Sequence, residues 1–156
     1  MASIVIDANI GVALAVNLPY SHLAERQIGH WREAKESVLV PVLWQYEVVS
    51  ALRKAVASSL LSGDEVMAAL ADLFKLGIHH VDPTLDQHRL ALSWASRLNQ
   101  VVAYDAQYLA LAEMTGSEFW TADKRLAQGA QFVGATWVSW LGSVTPQSVP
   151  HPETKQ

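Results

Sequence analysis

The chain has 156 residues, of which 51% are hydrophobic and 17% charged, and these values predict a single folded domain with a sizeable core. It contains no cysteine, which excludes thiolate zinc sites, disulfide frameworks and cysteine nucleophiles. The net charge of −4, from 15 acidic and 11 basic residues, excludes a general basic surface for duplex nucleic acid.

The first part of the chain alternates short apolar runs with helical patterns. In chain order we expect a strand at 3–7, helices at 9–16 and 21–35, a strand at 38–41 and a helix at 43–58. Ser62 and Glu65 form a capping-box pattern that starts the next helix, and Gly77 ends it. A third strand follows at 78–82.

The second part of the chain continues the alternation. Thr84 and Gln87 form another capping-box pattern, ahead of a helix that ends near Asn99. We then expect a helix at 105–115 with Gly116 as its terminator, and strands at 118–121 and 135–138. This order predicts an α/β fold with a parallel sheet and helices on both faces. Residues 142–156 hold three prolines and little apolar content, so we expect a disordered tail.

Four acidic residues fall where such a fold gathers side chains. Asp7 closes the first strand, Glu47 lies inside a helix, and Asp105 and Asp123 open helical segments. Ligands of open parallel sheets bind beyond the carboxyl ends of the strands, where the strand order reverses. Crowded carboxylates repel one another unless a positive group lies between them, and a divalent metal is the simplest such group. The pattern therefore predicts a metal-dependent phosphoryl-transfer enzyme.

Each acid also has a purely structural interpretation. Aspartate is a favoured helix N-cap, and Asp7, Asp105 and Asp123 all precede helical segments. Glu47 is internal to its helix, so its structural interpretation is a solvated residue at the rim of the apolar face. Structural roles explain each acid singly, but they do not explain why all four should lie at the same place. Three helix caps and one rim residue could lie anywhere on the fold.

Four sequence segments resemble those of PIN-domain proteins, and most closely the VapC-type toxin ribonucleases of toxin–antitoxin pairs. They are Val5-Ile6-Asp7-Ala8-Asn9, Glu47-Val48-Val49-Ser50-Ala51-Leu52, Ala103-Tyr104-Asp105-Ala106-Gln107-Tyr108-Leu109-Ala110-Leu111-Ala112-Glu113 and Thr121-Ala122-Asp123-Lys124-Arg125-Leu126. The segments follow the family's order and spacing over roughly residues 1–141. The third and fourth are together the specific ones.

The resemblance implies a fold, an activity and a set of site residues. The fold is a three-layer α/β/α sandwich with a five-stranded parallel sheet at 1–141, and the activity is an endoribonuclease that uses Mg²⁺, or alternatively Mn²⁺. Asp7, Glu47, Asp105 and Asp123 are the implied catalytic acids, the three aspartates also being metal ligands. Asn9 stands where many relatives have Ser or Thr, and Thr121 matches the polar position two before the last Asp.

The resemblance also implies partners. We expect an RNA substrate, a cognate antitoxin and a homodimer. From their positions, Lys124 and Arg125 beside Asp123, and Arg53 and Lys54 shortly after Glu47, are the phosphate contacts that we expect. An antitoxin side chain such as Arg would suit the acidic site, because it pairs with carboxylates through two hydrogen bonds. Apolar residues of the first helices, such as Leu14, have two interpretations, as core or as the receiving surface for the antitoxin. The sequence shows neither a membrane-spanning run nor a signal-peptide pattern, so we expect a cytoplasmic protein.

Other readings of the same residues are weaker. A haloacid-dehalogenase-like phosphatase needs a second Asp two residues after Asp7, where Asn9 stands. A receiver domain would pair Asp7 with Asp82 and needs a Lys after the last strand, which is missing. The six tryptophans are better explained by packing than by stacking on RNA. The main alternative that remains is a non-catalytic PIN module that binds RNA or a protein.

Overall fold

The computed structural model describes residues 2–144. The strands are β1 (Ser3–Ile6), β2 (Ser37–Pro41), β3 (His79–Val81), β4 (Glu118–Thr121) and β5 (Val138–Trp140). The α-helices are α1 (Ala8–Ala15), α2 (Ser21–Glu33), α3 (Leu43–Ala57), α4 (Gly63–Phe74), α5 (Leu85–Arg97), α6 (Tyr104–Thr115) and α7 (Lys124–Phe132). Strands and helices therefore alternate as the sequence predicts.

The five strands form one parallel sheet in the order β3-β2-β1-β4-β5. The predicted α/β fold with a five-stranded parallel sheet is confirmed. The chain leaves β1 toward β2 and β3 on one side and later returns to place β4 and β5 on the other. The strand order thus reverses between β1 and β4, which is where parallel sheets bind ligands.

The sheet is central because its strands are apolar on both faces. Val5 and Ile6 of β1 are completely buried, as is Phe119 of β4. On the helical layers, α1 packs against α2, α3 and α4, whereas α6 packs against α5 and against strands β1, β2 and β4. Three of the tryptophans, Trp31, Trp44 and Trp94, are at most 2% exposed, so they belong to the core.

Two sequence predictions need correction. The last strand begins at Val138 rather than at Ala135, because residues 134–136 form a turn in which the Ala135 amide still bonds the Ala130 carbonyl of α7 at 3.0 Å. The second capping box is half formed. The Thr84 hydroxyl accepts from the Gln87 amide at 3.1 Å, but the Gln87 side chain donates to Gln107 Oε1 at 3.2 Å instead of reaching back.

The chain ends its described part in a single 3₁₀ turn, Leu141–Ser143, with Leu141 fully buried. Of the predicted disordered tail, 142–156, residues 145–156 lie outside the described residues. Within residues 2–144, no helix is both long enough and apolar enough to cross a membrane.

Two helical glycines provide a test of the helix packing. A Cβ added at Gly11 of α1 would lie 2.5 Å from Trp44 Cζ2, whereas one added at Gly29 of α2 would meet no atom within 4 Å. Gly11→Ala should therefore destabilise the protein by about 1–3 kcal/mol through overpacking. Gly29→Ala should stabilise it by roughly 0.5–1 kcal/mol, because Ala loses less entropy in a helix. Urea denaturation of both variants measures this, and shifts of the same sign would contradict the packing.

Candidate active site

Asp7 lies at the point where the strand order reverses. It directly follows β1, and its own amide donates to the Trp120 carbonyl of β4 at 2.9 Å. Its side chain caps α1, since Oδ1 accepts the Ala8 amide at 2.8 Å, and the residue is only 6% exposed. The N-cap interpretation of Asp7 is thus correct, but this cap is also a buried carboxylate at the ligand-binding edge of the sheet.

Asn9 and Thr121 tie Asp7 to the turn that follows β4. The Thr121 hydroxyl donates to Asp7 Oδ2 at 2.8 Å and accepts the Asp123 amide at 3.0 Å. The Asn9 amide group donates to the same Asp7 oxygen at 3.3 Å and to Thr121 Oγ1 at 3.2 Å, and its oxygen accepts the Ala122 amide at 3.1 Å. The polar residues singled out in the sequence therefore form one network around Asp7.

Asp123 and Asp105 differ in their relation to their helices. Asp123 is the N-cap of α7, where Oδ1 accepts the Leu126 amide at 3.1 Å, and it is exposed. Asp105 is the second residue of α6, whose N-cap position is Ala103 without a side-chain bond. The cap interpretation of Asp105 is therefore wrong. Its hydrogen bond is instead with Gln100 Nε2, which donates to Oδ2 at 3.3 Å.

Glu47 reaches the site from α3 and is held by a tyrosine of another helix. The Tyr108 hydroxyl of α6 donates to Glu47 Oε1 at 2.7 Å, and Tyr108 is completely buried. Sequence reasoning missed both Tyr108 and Gln100 as site residues. For Tyr108 a signal existed, because it lies three residues after Asp105 and so shares its helix face. Gln100 is in a loop and carries no comparable signal.

The four carboxyl groups interact with one another. Burial raises the pKa of Asp7 from 3.8 to about 7, opposed by the Thr121 hydrogen bond and assisted by the charges of Asp105 and Glu47. Burial also raises the pKa of Glu47, with the Tyr108 bond opposing and Asp105 assisting. The pKa of Asp105 is raised by burial and by Asp123, and lowered by Gln100. Asp105 therefore interacts electrostatically with each of the other three acids.

The raised pKa of Asp7 has a consequence for stability. In the unfolded chain Asp7 loses its proton near pH 3.8, whereas in the folded protein it keeps the proton until about pH 7. Its contribution to folding is thus most favourable below pH 3.8 and is lost as the pH rises through 7. The full effect is of the order of a few kcal/mol, since one pKa unit corresponds to about 1.4 kcal/mol. At neutral pH and above, the charged site destabilises the fold unless a cation compensates it.

The hydrogen bonds leave oxygens free for such a cation. Glu47 Oε2, Asp105 Oδ1 and Asp123 Oδ2 have no hydrogen-bond partner among residues 2–144. In the same part of the chain, no three acidic or histidine side chains are close enough to coordinate one ion together. An ion at this site would therefore have at most two of these side chains as direct ligands, which Mg²⁺ accepts because it is typically held by one or two carboxylates and keeps several of its waters.

A polar cavity of about 400 Å³ opens beside two of the acids. Asp105, Asp123, Gln100 and Arg125 are among its lining residues. Arg125 is exposed and forms no salt bridge with any described residue, so its guanidinium is available to a ligand. Lys124 instead places its ammonium 4.9 Å from the centre of the Trp140 ring. On this geometry Arg125 is better placed than Lys124 to contact a phosphate.

Comparison with known proteins agrees with the fold. The family model described as "PIN domain" matches residues 4–131. Ribonuclease VapC3 of Pyrobaculum aerophilum is 34% identical over 130 residues, which are 80% of this chain and 92% of that protein.

Two solved structures share the fold at lower sequence identity. One is the Mycobacterium tuberculosis toxin VapC20, described as cleaving the sarcin–ricin loop, with a TM-score of 0.61, 17% identity and coverage of 81% of this chain and 94% of that one. The other is a toxin–antitoxin complex from Klebsiella pneumoniae, with a TM-score of 0.59, 17% identity and coverage of 89% and 98%. The family model and the VapC3 relative each span most of the chain, and the chain belongs to the PIN-domain family, with VapC ribonucleases among its relatives.

Proposed function

We propose that the protein is a magnesium-dependent endoribonuclease, and that it is the toxin of a VapBC-type toxin–antitoxin pair. The observation that carries this proposal is the grouping of three acids, Asp7, Glu47 and Asp123, around a fourth, Asp105, together with the polar cavity beside Asp105 and Asp123. Glu47, Asp105 and Asp123 each have a free carboxylate oxygen. Membership of the PIN-domain family and a relative named as a ribonuclease support the same activity. Mn²⁺ would serve as an alternative ion, since it prefers the same oxygen ligands.

The four acids divide the work of hydrolysis. A bound Mg²⁺ stabilises charge on the scissile phosphate and lowers the pKa of a bound water. Asp7 and Asp105 would hold the ion directly and Asp123 would hold it through water, since no three of these side chains within residues 2–144 are close enough to bind one ion together. The free Oε2 of Glu47 accepts a hydrogen bond from the attacking water and orients it toward the phosphate.

Charge determines how RNA reaches the site. Removing the four site acids from the 15 acidic residues leaves 11, which equals the number of Lys and Arg, so the rest of the chain is neutral. Long-range attraction to RNA is then weak, and phosphate binding depends on the metal ion. Arg125, in the cavity beside Asp105 and Asp123, contacts a phosphate next to the cleaved one.

An apolar groove formed by α1, α2 and α4 is the proposed antitoxin site. It has a volume of about 560 Å³, and Leu14, Ile28, Leu61 and Leu73 are among its lining residues. The Klebsiella pneumoniae neighbour was solved as a toxin–antitoxin complex, which supports a protein partner of this kind. Leu14 packs against the core and also lines this groove, so both of its interpretations stay open, whereas the nearby Val16 is a core residue, 5% exposed.

A second apolar surface supports the proposed homodimer. Leu85, Leu92, Val102 and Tyr104 are each 59–66% exposed, and Val101 is fully exposed. Of these residues, Val102 and Tyr104 line a groove of about 460 Å³ whose lining also includes Pro41, Leu43 and Pro83. Large exposed apolar side chains gathered in one region are typical of protein–protein interfaces.

Asp105→Asn is the most specific test of the catalytic assignment. The asparagine side chain has the same size and keeps an oxygen that can accept the hydrogen bond from Gln100. It lacks the negative charge that interacts with the other three acids. We expect RNA cleavage in Mg²⁺ to fall by more than about 100-fold, beyond the 10–100-fold typical of outer-shell changes. Cleavage of a fluorescent single-stranded RNA measures the loss, and circular dichroism checks that the fold is retained.

Asp82→Asn is the matched control, because Asp82 is an exposed aspartate that follows β3 at the same edge of the sheet. It should cleave RNA at the parental rate. If Asp105→Asn cleaves RNA at the parental rate, the assignment of Asp105 to the catalytic site is wrong. A parent protein that binds RNA tightly yet never cleaves it would favour the non-catalytic PIN module.

Chelation separates metal-dependent from charge-dependent RNA binding. With EDTA present, we expect binding of a short single-stranded RNA to weaken sharply, because the uncompensated carboxylates repel phosphate. Arg125→Ala in Mg²⁺ should weaken binding only modestly, by roughly 10-fold or less, and should leave cleavage measurable. Fluorescence anisotropy titrations measure both effects. RNA binding that survives chelation unchanged would contradict the proposed role of the metal.

A further inference from the structure

Tyr108 is a buried polar residue to which the proposed function has so far assigned no role. It lies in α6 with no exposed surface, and its ring stacks on Phe119 of β4 with centroids 5.8 Å apart and planes inclined by 25°. Its hydroxyl donates to Glu47 Oε1 at 2.7 Å. A tyrosine hydroxyl has one proton to donate, and here that proton is directed at a carboxylate of the proposed active site.

The surroundings of Tyr108 make it a rigid support. A buried ring stacked on a central strand has little rotational freedom, so the position of its hydroxyl is set by the core rather than by solvent. Glu47 is the opposite case, a long and partly exposed side chain on α3. The hydrogen bond from the fixed Tyr108 hydroxyl therefore restricts the conformations of the Glu47 side chain.

We propose that Tyr108 is the positioning residue of Glu47: it fixes the carboxylate so that Oε1 is occupied and Oε2 alone faces the reacting water. This inference rests on the proposed ribonuclease function. Tyr108 also follows Asp105 by three residues on the same helix, so α6 carries one acid of the site and orients a second. With only one free oxygen, Glu47 acts on water as a hydrogen-bond acceptor and does not chelate an ion through both oxygens.

Tyr108→Phe tests the proposal because it keeps the ring and its stacking and removes only the hydroxyl. We expect kcat for RNA cleavage to fall by about 10–100-fold, the usual effect of removing an outer-shell partner, with little change in KM. Tyr46→Phe is the matched control, since Tyr46 lies on α3 beside Glu47, is 70% exposed and makes no side-chain hydrogen bond among the described residues. It should leave kcat unchanged.

A double-mutant cycle in metal-free protein adds a readout that needs no RNA. In the parent, Tyr108→Phe should lower the melting temperature, because it leaves a partly buried carboxylate without its donor. In a Glu47→Leu background the same substitution should be neutral or raise the melting temperature, because there the hydroxyl is a buried donor without an acceptor. Packing alone predicts equal shifts in both backgrounds.

The outcomes are separable. Equal shifts in both backgrounds, or a kcat for Tyr108→Phe equal to that of Tyr46→Phe, would overturn the positioning role. A destabilisation in the parent that is absent or reversed in the Glu47→Leu background, together with a lower kcat, supports it. If the parent protein cleaves no RNA, the proposed function fails, and the stability cycle alone still decides whether Tyr108 and Glu47 are coupled.

Discussion

Repulsion among four carboxylates at the carboxyl ends of β1 and β4 is the constraint on which the rest of the site depends. Asp105 interacts with each of the other three acids, and burial raises the pKa of Asp7, Glu47 and Asp105. A fold that places these groups together must supply compensation. The structure supplies part of it with neutral hydrogen-bond donors, and each acid has its own.

The donors come from different parts of the chain. Thr121 and Asn9 hold Asp7, Tyr108 holds Glu47, Gln100 holds Asp105, and the backbone amide of Leu126 holds Asp123. These bonds fix the direction of each carboxylate, but they add no positive charge. The pKa of Asp7 remains raised to about 7 in spite of its hydrogen bonds. In the proposed function a divalent cation would supply this compensation, held by Asp7 and Asp105 and, through water, by Asp123.

Sequence reasoning located the acids because their signals are local. Asp7 directly follows β1, and Asp123 follows β4 by two residues. β4 has the predicted bounds, Glu118–Thr121, and Asp123 caps the helix after it. The same reasoning placed Asp105 at a cap because the helix start after Ala103 has no side-chain signal. It placed β5 three residues early because the turn at 134–136 precedes an apolar stretch that matches a strand equally well.

The supporting residues were harder to predict because their roles depend on tertiary contacts. Tyr108 lies in an apolar stretch of α6 and looks like an ordinary core aromatic until its hydroxyl meets Glu47, 61 positions earlier in the chain. Gln100 follows Asn99, whose positive φ of 54° turns the chain between α5 and α6. That turn brings the Gln100 side-chain amide back to Asp105. Composition and hydrophobic periodicity therefore do not predict the contact between these two residues.

The central claim is that the acids are held close together at an energetic cost that a divalent cation relieves. The most direct test is the melting temperature of the purified protein as Mg²⁺ is added, compared between the parent and Asp7→Asn. At a hundredfold excess over Kd, linkage predicts a rise of roughly 5–10 °C for a domain of this size. Asp7→Asn should melt higher than the parent without metal and respond less to Mg²⁺. A melting temperature indifferent to both the metal and the substitution would contradict the account.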